Sequence, residues 1–78
     1  MKEEIRKFIA DTLNVSVSEI IDSAEIGEIE GWDSIHQLMI VSGLEEKYKI
    51  HFSEDDVFDM VSIGSIIEIT EKSVNQNG

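Results

Sequence analysis

Gly31-Trp32-Asp33-Ser34-Ile35 opens the stretch that decides the fold, and it runs on as His36-Gln37-Leu38-Met39-Ile40-Val41-Ser42-Gly43-Leu44-Glu45-Glu46-Lys47-Tyr48-Lys49-Ile50. The run from Ser34 to about Tyr48 reads as one helix. Asp33 is a good N-cap: its short carboxylate accepts from amides of the first turn, and its charge suits the positive helix end. Lys47 and Lys49 stand at the other end, where cations suit the dipole. This puts one serine hydroxyl, that of Ser34, at a helix N-terminus in a chain with no other obvious chemistry. A serine there can carry a phosphate-linked group, because the helix end favours an anion and supplies backbone N–H donors.

On the N-terminal side, residues 2–14 read as a first helix. Ile5, Phe8, Ile9, Thr12 and Leu13 follow the i, i+3, i+4 spacing of one apolar face, and Asn14 suits a helix end. Ser16 to Ile21 adds a short turn. A long loop follows from Asp22 to Asp33, its charged residues all acidic, with Ile26 and Ile29 placed to pin it to the core. Loops of that length in compact domains are often functional. On the C-terminal side, Ser53-Glu54-Asp55-Asp56 is a strong N-cap with acids in the first turn, which predicts a short third helix from Glu54 to Met60. Ser62 caps a last helix from Ile63 to Ser73. Residues 74–78 form a polar tail expected to fray. No stretch alternates strictly enough for a strand, so the expected fold is all-α, a four-helix bundle with a long loop between helices 1 and 2. Its core is expected to hold Ile5, Phe8, Ile9, Leu13, Ile35, Val41, Leu44, Phe58, Ile63 and Ile67.

With 78 residues the chain makes one small domain, placed at 1–73, with no room for a deep active site. It has no cysteine, so any thioester chemistry must use an imported thiol. Its 17 acidic and 6 basic residues give a formal net charge of −11. Nucleic acid is the wrong partner for that sign; a basic protein surface is the complement. Acidity also keeps a small protein soluble, which is the plainer reading of the charge. Six acids lie between Glu19 and Asp33 with no base among them, and such crowding is expected to raise carboxylate pKa values. No signal-peptide stretch opens the chain, and no apolar run is long enough to enter and cross a membrane, so a cytoplasmic monomer is the expectation.

The stretch from Trp32 to Ile50 resembles the second helix of acyl carrier proteins. The resemblance extends along the chain: a first helix, a long acidic loop, Asp33-Ser34-Ile35, the Leu44-Glu45-Glu46 helix end, an acid-rich short helix, and Ser62-Ile63-Gly64-Ser65 opening the last helix. A lone Asp-Ser at a helix start is ordinarily only a cap; the order of the whole chain adds the weight. The resemblance implies that Ser34 bears a 4′-phosphopantetheine arm taken from coenzyme A, with Asp33 as its flanking acid. It implies a discrete carrier that is not itself an enzyme. Its implied partners are a phosphopantetheinyl transferase, an acyl-loading ligase or transacylase, and downstream acyl-processing enzymes with basic docking patches. The positions matching the family's partner-binding face are His36, Gln37, Leu38, Met39, Ser42, Glu45 and Glu46, with Glu45 and Glu46 expected to be exposed. Apolar residues surround this helix, so both its faces cannot be buried in a small bundle.

The sequence departs from the fatty-acid members of that family. Trp32 stands where a small residue is common, Ile35 replaces the usual Leu, His36 a common acid, and Ser42 an apolar residue. A Trp-Asp-Ser form resembles carriers that serve dedicated biosynthetic pathways. An aminoacyl or peptidyl carrier is a neighbouring reading, although those relatives more often have Gly-Gly or Gly-His before the serine. An unmodified acidic domain that binds a basic partner is a reading of another class. His36 as a general base fails, since no second group is spaced to orient a catalytic pair; a solvated helix residue is the plain reading, as it is for His51. A calcium loop at Asp22–Gly27 fails too, because Ala24 and Ile26 offer no side-chain oxygen.

Overall fold

The computed structural model describes residues 1–77. Four helices follow in order: α1 (Lys2–Leu13), α2 (Ser34–Tyr48), α3 (Glu54–Asp59) and α4 (Ile63–Asn77), with a single 3-10 turn at Val17–Glu19. The only sheet-like pairing among the described residues is an isolated bridge between Glu25 and Ser62. The expected all-α four-helix architecture is therefore the observed one, and no described helix is long and apolar enough to cross a membrane.

α1 buries Ile5, Ile9, Ala10 and Leu13, one face of a 3.6-residue period. It ends where Asn14 turns left-handed (φ 59°) and Val15 N–H donates to Ala10 C=O at 3.0 Å. α2 ends the same way: Lys49 is left-handed (φ 57°) and Ile50 N–H donates to Glu45 C=O at 3.1 Å. Each closing turn returns amides to carbonyls the helix would otherwise leave unpaired. α4 buries Ile63, Ile66, Ile67 and Thr70. It runs on through residues 74–77, where the sequence predicted a frayed tail, and Val74 packs against the core. The remaining residue of that predicted tail, Gly78, lies outside the described residues.

The long loop caps α4. Ile63 N–H donates to Ala24 C=O at 3.0 Å, and Gly64 N–H to Asp22 C=O at 2.9 Å. Those are first-turn amides with no partner inside their own helix. Arg6 of α1 holds the same loop, donating to Ile20 C=O at 3.0 Å and pairing with the Asp22 carboxylate. Ile29 is buried as expected, but Ile26 is exposed; its amide, not its side chain, anchors it, by donating to Val61 C=O. Gly31 takes a positive φ of 84°, and a Cβ there would lie 3.3 Å from Leu13 C=O, so the residue before Trp32 has both strain and crowding against any side chain.

The core differs from expectation at Trp32, Ile35, Phe58 and Phe8. Trp32 is buried to 2% exposure beside Ala24, Ile29, Phe52 and Met60 in one cluster. Ile35 and Phe58, both expected inside, stand 69% and 83% exposed. Phe8 is half-buried at the edge. The reason is geometric: Gln37, Ile40, Val41 and Leu44 already occupy the inward arc of α2, which turns Ile35 outward.

Candidate functional site

The α2 N-terminus is built by Asp33. Its carboxylate Oδ1 accepts the His36 backbone N–H at 2.9 Å and lies 2.8 Å from His36 Nδ1. Its own C=O accepts the Gln37 N–H at 2.8 Å. The His36 backbone N–H, and after it the His36 ring, hold the Asp33 carboxyl below its usual pKa against a small opposing effect of desolvation. Crowding among the loop acids was expected to raise it; the cap bonds decide the outcome at this residue because they are in direct contact.

Ser34 is the first residue of α2 and is exposed. The amides of Ser34 and Ile35 precede the first intrahelical bond, so the hydroxyl sits beside donors that the helix itself does not use. The neighbouring bonds run between Trp32, Asp33, His36, Gln37 and Met60 and leave the Ser34 hydroxyl out. An exposed serine oxygen beside unused N–H groups fits a phosphodiester: the oxygen can bond to phosphorus and the helix end favours the anion. Among the described residues no cluster of acids and histidines is set to hold a metal ion.

The residues matched to a partner face divide into two groups. Leu38 (63% exposed), Met39 (51% exposed), Ser42 and Glu46 lie with Ile35 on the outward side of α2. Gln37 and Glu45 do not. Gln37 accepts the Trp32 indole N–H at 2.7 Å and donates to Met60 C=O at 2.9 Å, so it ties the loop, α2 and the end of α3 together. Glu45, expected to be exposed, has a side chain only 27% exposed; its Oε2 accepts the Phe52 N–H at 2.8 Å and lies 3.2 Å from His51 Nδ1. It fixes the link from α2 to α3. His36 is half-buried over the cap. The sequence reading missed Phe58 and Val61, which are exposed on and just after α3. A six-residue helix gives periodicity too little length to say which of the adjacent Val57 and Phe58 faces inward.

The helical bundle presents one exposed serine at the start of its second helix. The family described as "Phosphopantetheine attachment site" matches residues 3–69, and the chain belongs to this family, that of the acyl carrier proteins. The acyl carrier protein of Helicobacter pylori is 29% identical over 69 residues, 88% of each chain. The polyketide-8 synthase acyl carrier protein 2 of Streptomyces avermitilis is 31% identical over 68 residues, 87% of this chain and 78% of that one. In fold, the solution structure of a holo acyl carrier protein from Geobacter metallireducens superposes with a TM-score of 0.85 at 16% identity, covering 97% of this chain and 87% of that one. In this family the attachment domain holds phosphopantetheine covalently, and its members carry acyl groups rather than catalyse their reactions. Phosphopantetheinyl transferases and acyl-processing enzymes are the partners that membership implies.

Proposed function

We propose that Ser34 is the residue that takes the 4′-phosphopantetheine arm, and that the protein is a cytoplasmic carrier for acyl thioesters in a specialised biosynthetic pathway. The observation that carries this reading is the exposed Ser34 hydroxyl at the start of α2, beside two amides that the helix leaves unpaired. In the attachment, the Ser34 oxygen forms a bond to phosphorus, the pyrophosphate of coenzyme A breaks, adenosine 3′,5′-bisphosphate leaves, and the hydroxyl proton passes to a base on the transferase. The arm supplies a thiol, which the cysteine-free chain lacks. Asp33 fixes the helix start and hence the place of the hydroxyl. The tether gives one acyl group a high effective concentration at several active sites in turn.

The specialised pathway is supported by the outward side of α2, where Ile35, Leu38, Met39 and Ser42 leave Glu46 as the one acid. A surface of that kind selects partners by apolar fit more than by paired charges. Standard fatty-acid synthesis is the other reading. The test is intact mass after incubation with coenzyme A and a broad-specificity phosphopantetheinyl transferase. The native protein gains one phosphopantetheine and Ser34→Ala gains none; label on Ser23, Ser42 or Ser53 overturns the assignment. Acyl transfer rates with a panel of fatty-acid enzymes then choose the pathway: rates equal to those of their own carrier replace the specialised reading with the standard one.

A further inference from the structure

Phe58 is the most exposed large apolar side chain among the described residues, at 83%. Its orientation is set by the backbone of α3. Ser53 caps that helix, accepting the Asp56 N–H at 3.0 Å, and the Asp56 carboxylate accepts the Ser53 N–H. With the start fixed, Val57 packs against the core and Met60 is buried, so Phe58 between them faces solvent. An aromatic ring left in water adds nothing to the fold, and exposed apolar groups of this size mark contact sites when they gather. Val61, also exposed, follows on the same segment, and Ile35, Leu38 and Met39 are exposed on α2.

The position connects the ring to the serine. Gln37, one helical turn beyond Ser34, donates to Met60 C=O at 2.9 Å, so the end of α3 lies against the first turn of α2. An enzyme that reaches Ser34 through a contact of ordinary size covers about 800 Å² of this protein, a disc of roughly 16 Å radius, which takes in that end of α3.

Charge selects the occupant. Glu54, Asp55 and Asp59 surround Phe58 on its own helix, in a chain of net charge −11. A second copy would bring two acidic surfaces together. The enzyme that acts on Ser34 must also bind coenzyme A, an anion with three phosphate groups, so the mouth of its active site is basic. We infer that Phe58 is an apolar anchor for the phosphopantetheinyl transferase: its ring enters an apolar pocket rimmed by basic side chains, beside the mouth that receives Ser34. This rests on Ser34 being the attachment residue.

The test compares the native protein with Phe58→Ala and Phe58→Leu, using a broad-specificity phosphopantetheinyl transferase and coenzyme A. Alanine keeps a good helix former at the site, so circular dichroism should be unchanged. Phe58→Ala lowers kcat/KM about tenfold, mostly through KM, as expected for loss of an aromatic anchor. The factor is the same at low and high salt, because the lost contact is apolar. Phe58→Leu recovers most of the rate. Calorimetric binding to the transferase, with Ser34→Ala in both proteins to prevent turnover, weakens by a similar factor when Phe58→Ala is added. Rates within twofold of native, with unchanged binding, overturn the inference. So does a dimer that depends on Phe58 in sedimentation while labelling is unaffected, since the ring then belongs to a second copy. No label on the native protein overturns this inference and the Ser34 reading together; label on the native protein with indifferent Phe58 variants overturns this one alone.

Discussion

Trp32 donates its indole N–H to Gln37 Oε1 at 2.7 Å, across the junction where the acidic loop becomes α2. The indole is buried to 2% exposure, so its N–H has no access to water. Gln37 spends its other amide atom on Met60 C=O. One side chain thus holds the loop before Ser34 and the end of α3 in register with the helix that bears the serine.

Gln37→Ala strands the buried indole donor. Leaving such a group unpaired costs about 1–3 kcal/mol. In a domain of this size that is a fall in Tm of roughly 5–15 °C. Gln37→Glu keeps an acceptor for Trp32 but loses the donor to Met60, and its Tm should lie between those of the native and alanine proteins. Thermal melts followed by Trp32 fluorescence check the order. Equal melting of native and Gln37→Ala would show that the strut contributes nothing.

Glu45 and Glu46 are adjacent acids with opposite roles. Glu45→Lys removes the acceptor of the Phe52 N–H, beside a buried phenylalanine, and should cost about 1–2 kcal/mol. Glu46→Lys changes an exposed residue and should leave stability within about 0.5 kcal/mol, while slowing transfer of the arm by weakening charge attraction. High salt should shrink the rate penalty of Glu46→Lys and leave the stability penalty of Glu45→Lys in place. Urea denaturation and labelling rates at two salt concentrations separate the two.

Asp33 gives the protein an acid-side dependence. Its folded pKa lies below the usual value because the His36 N–H and ring favour the charged form. The folded state therefore binds this proton less readily than the unfolded state. The stabilisation is present in full above the ordinary carboxylate pKa, about 3.9, and is lost as pH falls through the lower folded value. Asp33→Asn retains a capping oxygen but no charge. Its stability should vary less with pH between about 5 and 2 than that of the native protein. A carboxyl titration by NMR that puts Asp33 above its ordinary value would contradict the cap geometry.

Much of this fold was legible because its signals are local. Asp33 and Ser53 are caps that name their helix starts, and α2 begins at Ser34 and ends at Tyr48 as the sequence predicts. Facing was harder to read. α2 is apolar on nearly every side, so periodicity could not tell Ile35, which is exposed, from Ile40, which is buried. Tertiary contacts settle it, through the Gln37 bonds to Trp32 and Met60. Trp32 is an unusual neighbour for the serine, yet nothing in the linear pattern says that a loop tryptophan enters the core. Glu45 looked like any surface acid, because a side chain that accepts a backbone N–H seven residues on leaves no trace in composition. The helix start at Ser34 was legible, since its cap, Asp33, stands next to it.

The contact of α1 with α2 turns on Gly43. A Cβ built there would overlap Phe8 Cζ and lie 2.9 Å from Cε2, so the ring occupies the space a side chain would need. Two effects oppose each other in Gly43→Ala. A helix-interior alanine gains about 1 kcal/mol over glycine. Overpacking against the ring costs about 1–3 kcal/mol, because Phe8 must swing away from the core edge and lose its packing. The clash is deep enough that the second effect wins, and Gly43→Ala should be less stable than native by about 1 kcal/mol. Phe8→Ala removes the obstacle at its own cost in packing. In that background Gly43→Ala meets open space and becomes stabilising by up to about 1 kcal/mol. The two changes should therefore couple by about 2 kcal/mol in a double-mutant cycle, within the range for residues in contact. Urea unfolding of the four proteins measures it. If Gly43→Ala stabilises the native protein, or the two effects simply add, the Phe8 ring does not set the spacing of the two helices.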